Sequence, residues 1–123
     1  MEFQYKKEKD LETRKRISSN LLSQNPDKIP IILQKDPKCK TKDMIKRKFL
    51  PLKEETVYEF TLKVRKLLKL LDSESLFLSA KGKYSITGTK LMKDIYDKYK
   101  DEDGFLYILV STEVVFGCFE TKK

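Results

Sequence analysis

The spacing of apolar residues shifts repeatedly along this chain, and each shift marks an element. Phe3 and Tyr5 lead into a charged stretch in which Leu11, Ile17, Leu21 and Leu22 recur at near-helical intervals, which predicts a helical N-terminal arm. Gln24-Asn25-Pro26 ends it, because the residue before a proline is pushed out of the α region. The run Ile29-Pro30-Ile31-Ile32-Leu33 is short, β-branched and bounded by turn residues, so it reads as a strand with its proline at the start. Lys48-Phe49-Leu50-Pro51-Leu52 reads as a second strand, and Pro51 marks it as an edge. Edge strands keep unpaired backbone donors and acceptors, and so can receive a partner's strand.

Thr56 starts a helix, with Glu59 three residues on to complete a capping box. Val57, Phe60, Val64, Leu67, Leu68 and Leu71 form its apolar stripe. Ser75 to Ala80 is a third strand, followed by the turn-like Lys81-Gly82-Lys83. Another helix is expected from about Thr89 to Tyr99, with Leu91, Met92, Ile95 and Tyr99 inward. After Gly104, Phe105 to Val110 is almost continuously apolar, as a strand buried on both faces would be. An arm, a hairpin, a helix, a strand, a helix and a strand make an α+β chain. A hairpin that feeds a packed helix suits a ubiquitin-like β-grasp with an additional N-terminal helical arm. Its last strand would lie centrally, parallel to the first.

At 123 residues the chain holds one ordinary core. Hydrophobic residues make up 39%, which argues against wholesale disorder despite 37% charged residues. Lys and Arg number 27 against 19 Asp and Glu, and the resulting +8 suits a negatively charged partner. Seven basic and two acidic residues between Lys35 and Lys48 read as a solvated connection or an anion-facing surface. The absence of histidine excludes histidine-based triads, dyads and metal sites. Cys39 and Cys118 are too few for a zinc cluster, and the four glycines are too scattered for a phosphate loop. No enzyme activity, cofactor or metal is expected. No apolar run is long enough to span a bilayer, and Met1 to Lys7 lacks the apolar core of a signal peptide, so a cytoplasmic protein is expected.

Four stretches carry a resemblance: Pro26-Asp27-Lys28-Ile29-Pro30-Ile31-Ile32, Lys46-Arg47-Lys48-Phe49-Leu50, Asp101-Glu102-Asp103-Gly104-Phe105-Leu106-Tyr107 and Glu113-Val114-Val115-Phe116-Gly117. In that order and separation they resemble the autophagy-related ubiquitin-like modifiers, the group of the GABA-receptor-associated protein and microtubule-associated light chain 3. The resemblance runs from Phe3 to Gly117. The chain departs from the family's pattern at Lys81 to Lys90, at Asn25 and Leu67, and at Glu55 and Lys63, two positions that are usually apolar.

The resemblance implies an arm over 1–25 packed on the core, a β-grasp domain over 26–117 and a removable tail over 118–123. It implies that a cysteine protease cuts after Gly117, flanked by Phe116 and Cys118. Activating and carrier enzymes then pass the glycine to phosphatidylethanolamine. The protein, a monomer before lipidation, would coat autophagosomal membranes and reach the vacuole or lysosome. Cargo receptors and adaptors carrying an aromatic-x-x-aliphatic motif would add a strand beside the second strand. The aromatic pocket would be lined by Ile17, Leu21, Pro30, Ile32, Lys48, Leu50 and Phe105. The aliphatic pocket would involve Phe49, Pro51, Leu52, Val57, Phe60 and Val64. Lys28, Lys46, Lys48 and Arg65 would supply positive charge towards acidic residues of the motif, or Arg65 would pair inside the domain.

Two other readings remain at the level of sequence. One is a ubiquitin-like modifier conjugated to proteins, against which the helical arm and the Lys46 to Leu50 strand argue. The other is a small basic nucleic-acid-binding domain. The basic stretch lacks the interleaved aromatics that stacking on bases needs, so no nucleic-acid partner is expected.

Overall fold

The computed structural model describes residues 3–36 and 48–112. Local sequence chemistry sets most of its boundaries. The central helix α3 (Val57–Leu68) opens on the predicted capping box. The Thr56 hydroxyl accepts from the Glu59 amide at 3.1 Å, and the Glu59 carboxylate accepts from the Thr56 amide at 2.9 Å. The helix ends at Lys69, whose φ of 55° is left-handed, so Leu71 falls outside it and is exposed rather than part of the stripe.

The N-terminal arm is two helices rather than one, α1 (Gln4–Glu8) and α2 (Leu11–Gln24). Asp10 separates them by capping α2, its carboxylate accepting from the Thr13 amide at 2.9 Å. Hydrogen bonding to the Thr13 side chain, and then this amide bond, hold the Asp10 carboxyl below its ordinary value.

Among the described residues, five strands form one sheet in the order β2-β1-β5-β3-β4. They are β1 (Ile31–Lys35), β2 (Lys48–Phe49), β3 (Leu76–Ala80), β4 (Tyr84–Ile86) and β5 (Leu106–Thr112). As expected, β5 is central and parallel to β1, with Ile31 opposite Leu106 and Lys35 opposite Val110. The second strand is shorter than its apolar run. Beyond Phe49 the ladder continues only as the Ile29 amide bonded to the Pro51 carbonyl and a bridge between Lys28 and Leu52. A proline has no N–H to donate, so Pro51 cannot extend a regular ladder. Tyr84-Ser85-Ile86, too short a run for its pattern to predict a strand, pairs with β3 where Lys81 and Gly82 turn the chain at φ of 59° and 74°. The last helix, α4, spans Met92–Tyr99 and so starts later than its pattern suggests.

Alternation along β5 divides the core in two. Leu106, Ile108 and Val110 face the cluster built with Val57, Phe60, Val64 and Leu68 of α3 and Met92 and Ile95 of α4. Phe105, just before β5, with Tyr107 and Leu109 lies in the second cluster with Ile32, Phe3 and Tyr5, against which Ile17 and Leu21 of α2 pack. The arm therefore covers the sheet face that α3 and α4 leave open. Each large apolar side chain buried in these layers contributes about 1.5–3 kcal/mol.

Candidate functional site

The sheet ends at β2, which pairs with β1 on one side only, through Ile31 opposite Phe49 and Ile32 opposite Lys48. Its other side is an edge of the described sheet, and it is flanked by α2 and α3. Towards α2, Ile32 and Phe105 are buried in one cluster against which Ile17 and Leu21 pack, while Pro30 is buried, Leu50 is partly buried and Lys48 is exposed. Tyr5 joins this corner: its ring meets Phe105 edge-on at 5.4 Å, and Lys48 Nζ stands 5.6 Å from its centroid, within cation–π reach. The sequence reading did not place Tyr5 in this corner, although it noted Phe3 and Tyr5 at the head of the arm.

Towards α3, Val57, Phe60 and Val64 are fully buried and Pro51 is buried. Phe49 is partly buried and packs edge-on against Phe60 at 5.8 Å, while Leu52 is 45% exposed. Val57, Phe60 and Val64 thus belong to the core, and the accessible apolar surface here comes from Phe49 and Leu52. Glu55 and Lys63 form an ion pair beside them, Nζ to Oε1 at 2.8 Å.

Lys28 is partly buried and bridges to Leu52. Arg65 is turned into the domain, though towards backbone rather than an acidic side chain. Its guanidinium donates to the carbonyls of Glu74 and Leu71, both at 2.7 Å, and so braces the loop after α3 instead of facing an incoming charge. Lys46, Phe116, Gly117 and Cys118 lie outside the described residues.

A polar latch holds the arm over the groove. Asp103, 1% exposed, accepts from Arg14 Nη1 and the Tyr107 hydroxyl, both at 2.6 Å, and from the Phe105 amide at 2.8 Å. Beside it Lys6 Nζ donates to Asp101 at 2.6 Å. The Ser18 hydroxyl donates to the Asp103 carbonyl, and Ser18 sits so close to Gly104 that a Cβ there would collide with it. Gly104 also has φ of 92°, so the position needs glycine on both counts. Burial pushes the Tyr107 hydroxyl far above its ordinary value, and its bond to Asp103 adds to the rise. For Arg14, burial works against the charge, but Asp103 and Tyr107 together outweigh it and raise the value.

Asp101 gives a pH prediction. Burial opposes its ionisation, yet the hydrogen bond from Lys6, the Asp103 amide and the charges of Lys6 and Arg14 hold its carboxyl below 3.8. A depressed carboxylate stabilises the fold fully above its unfolded value and loses that contribution as pH falls through the lower folded value. Arm protection, followed by amide hydrogen exchange in α1, is therefore expected to stay flat between about pH 5 and 8 and to fall in acid below 3.8. Asp101→Asn should remove the Asp101 component of that acid transition, and an unchanged profile would refute the assignment.

A cavity of about 180 Å³ opens elsewhere, between β4 and α4, lined by residues such as Ile86, Lys90, Asp94, Lys98 and Tyr99. It lies at the opposite border of the sheet from β2.

Comparisons with known proteins agree with this architecture. The family model described as "Autophagy protein Atg8 ubiquitin like" matches residues 13–117. Autophagy-related protein 8e of Arabidopsis thaliana is 36% identical over 114 residues, covering 93% of each chain. Autophagy-related protein 8 of Pichia angusta is 38% identical over 120 residues, covering 98% of this chain and 95% of that one. The crystal structure of Trypanosoma brucei ATG8 superposes with a TM-score of 0.87 at 32% identity, covering 93% of this chain and 97% of the other. With its arm, its mixed five-stranded sheet and these matches, the chain belongs to the Atg8 family of ubiquitin-like autophagy proteins.

Proposed function

We propose that this protein is cut after Gly117, joined through that glycine to phosphatidylethanolamine, and used on autophagosomal membranes to dock cargo receptors. It acts as a modifier and scaffold rather than a catalyst. Its partners are the processing protease, the activating and carrier enzymes, and receptors bearing an aromatic-x-x-aliphatic motif. It moves between the cytoplasm, the autophagosome and the vacuole or lysosome.

The observation that carries the docking half is the β2 border, a described sheet edge with one paired side and partly exposed Phe49, Leu50 and Leu52 beside it. An added strand gains backbone hydrogen bonds there, and the two flanking hollows select its side chains. The conjugation half is supported by the family match, which extends through Gly117. No helix among the described residues is long and apolar enough to cross a membrane, so attachment needs another anchor. One phosphatidylethanolamine brings two acyl chains, the number that stable anchoring generally requires. The positive balance of +8 adds attraction to anionic headgroups, about 1 kcal/mol per well-placed Lys or Arg.

Replacing Phe49 and Leu50 together by alanine is expected to keep the fold, since both are only partly buried and the core cluster beneath Phe49 stays in place, and to weaken binding of a Trp-x-x-Leu-type peptide by about tenfold or more, ~1.4 kcal/mol. Fluorescence titration with the labelled peptide measures this, and an unchanged dissociation constant would discard the groove.

A further inference from the structure

The border of the sheet opposite β2 carries the cavity between β4 and α4, and three of the charged side chains that line it are exposed to solvent. Ile86 of β4 and Ile95 of α4 line it as buried apolar residues, and Tyr99 as a partly buried aromatic one. The Tyr99 ring stacks on Tyr84, with centroids 4.9 Å apart at an angle of 19°, and Lys98 Nζ stands 5.4 Å from its centroid. The exposed members are Lys90, Asp94 and Lys98, which follow one another at intervals of four residues. Among the described residues no ion pair joins Asp94 to either lysine, so both ammoniums are open to a ligand and outnumber the carboxylate.

Size and lining together restrict what the cavity can take. A cavity of about 150 Å³ accepts a benzene molecule, whereas clefts for drug-sized ligands start near ~300 Å³. At about 180 Å³ this one has room for a single ring on a short stem, and none for a nucleotide or a large cofactor. An aromatic ring suits it, because Tyr99 offers a stacking or edge-on partner beside two isoleucines. Two ammoniums against one carboxylate then favour a negative group on the stem, and the +8 of the whole chain draws anions towards its surface. A cationic stem would meet Lys90 and Lys98 with the same sign of charge.

We propose that the cavity between β4 and α4 is a binding site for a single-ring aromatic carboxylate, independent of the β2 groove. That group occurs as a free aromatic acid and as the last residue of a chain that ends in phenylalanine. In either case the ring occupies the apolar part of the cavity, and Lys90 and Lys98 meet the carboxylate. Both lysines are solvated, so they supply a preference for the anion and the ring supplies most of the affinity.

The test follows backbone amide NMR shifts of the full chain during titration with four probes: phenylpropanoate, its neutral amide, phenylethylamine, and a short peptide ending in phenylalanine with a free carboxylate. Phenylpropanoate is expected to move the amides of Ile86, Ile95 and Tyr99 saturably, with a dissociation constant on the order of 1 mM. It should bind about fivefold more tightly than the neutral amide. Lys90→Glu with Lys98→Glu should erase that preference. Lys7→Glu with Lys15→Glu, two exposed lysines of the arm and the same change in net charge, should leave it in place. The tighter binder of the free acid and the peptide identifies the source of the carboxylate, and either result supports the site. Equal affinity for acid and amide, tightest binding of the amine, or equal losses in the two double variants overturns the anion assignment. Shifts centred on β2, displacement by a Trp-x-x-Leu peptide, or the absence of saturable shifts overturns the site itself.

Discussion

Gly117→Ala is expected to give a folded protein that is neither trimmed after residue 117 nor carried to membranes. Conjugation should fall at least about a hundredfold, because a displacement of roughly 1 Å at a reacting centre costs that much. Glycine has no Cβ, so its backbone can lie flat in a narrow protease cleft and reach conformations closed to alanine. On the proposed route the activated carbonyl is then attacked three more times, by two thiols in successive thioester steps and finally by the lipid amine. Each transfer meets the added methyl group beside the reacting carbon. The fold should not notice, since the described strand β5 ends at Thr112, five residues earlier in the chain. Two readouts separate the steps. Intact mass of the purified protein after protease treatment reports loss of 118–123, and mass of the membrane fraction reports the lipid adduct. A variant trimmed and lipidated at the normal rate would refute the role of Gly117. A mass increase of kilodaltons on the unmodified protein would point instead to conjugation with another protein.

Much of the fold was legible because local chemistry and long-range packing ask for the same thing. Thr56 and Glu59 announce the start of α3, Val57, Phe60 and Val64 its buried face, and the unbroken apolar run of β5 its central place. Pro51 foretold an edge. Other features were written in residues whose meaning depends on distant partners. Tyr84-Ser85-Ile86 is a strand only because β3 lies beside it. Arg65 read either as a charge for an incoming motif or as a partner for an acidic residue within the domain, and its guanidinium meets instead the loop carbonyls of Leu71 and Glu74.

The groove shows the same division. Its apolar walls follow from the pattern, since Ile32 and Phe105 had to be buried somewhere. The charged members do not: in a chain with 37% charged residues, nothing in the sequence says that Arg14 meets Asp103, 89 positions later. The break at Asp10 was readable in principle, from a capping aspartate three residues before Thr13. Glu55 and Lys63 stood out as departures from a family's habit, but their bond exists only once α3 has folded back beside the turn.

The latch should prove the most sensitive point of the described fold. Arg14→Ala is expected to destabilise the protein by about 3 kcal/mol, because it leaves Asp103 as a buried carboxylate without its cation. For a domain of this size that corresponds to a melting temperature lower by roughly 10 °C. Truncating Lys6, which is 31% exposed and pairs with Asp101, should cost under about 1 kcal/mol. Calorimetry on both variants gives the contrast, and equal losses would refute the distinction between a buried pair and a rim pair. The effect should also reach the groove. Ile17 and Leu21 stand on α2, which Arg14 ties to the sheet, and Tyr5 stands on α1. An arm released from Asp103 therefore takes away one wall of the aromatic hollow and leaves the α3 side intact. Arg14→Ala should weaken a Trp-anchored peptide severalfold at temperatures where the β-grasp core is still folded. A double-mutant cycle with Asp103→Asn closes the case: if the two losses simply add, Arg14 and Asp103 are not acting as a pair, and the arm is held by its apolar contacts alone.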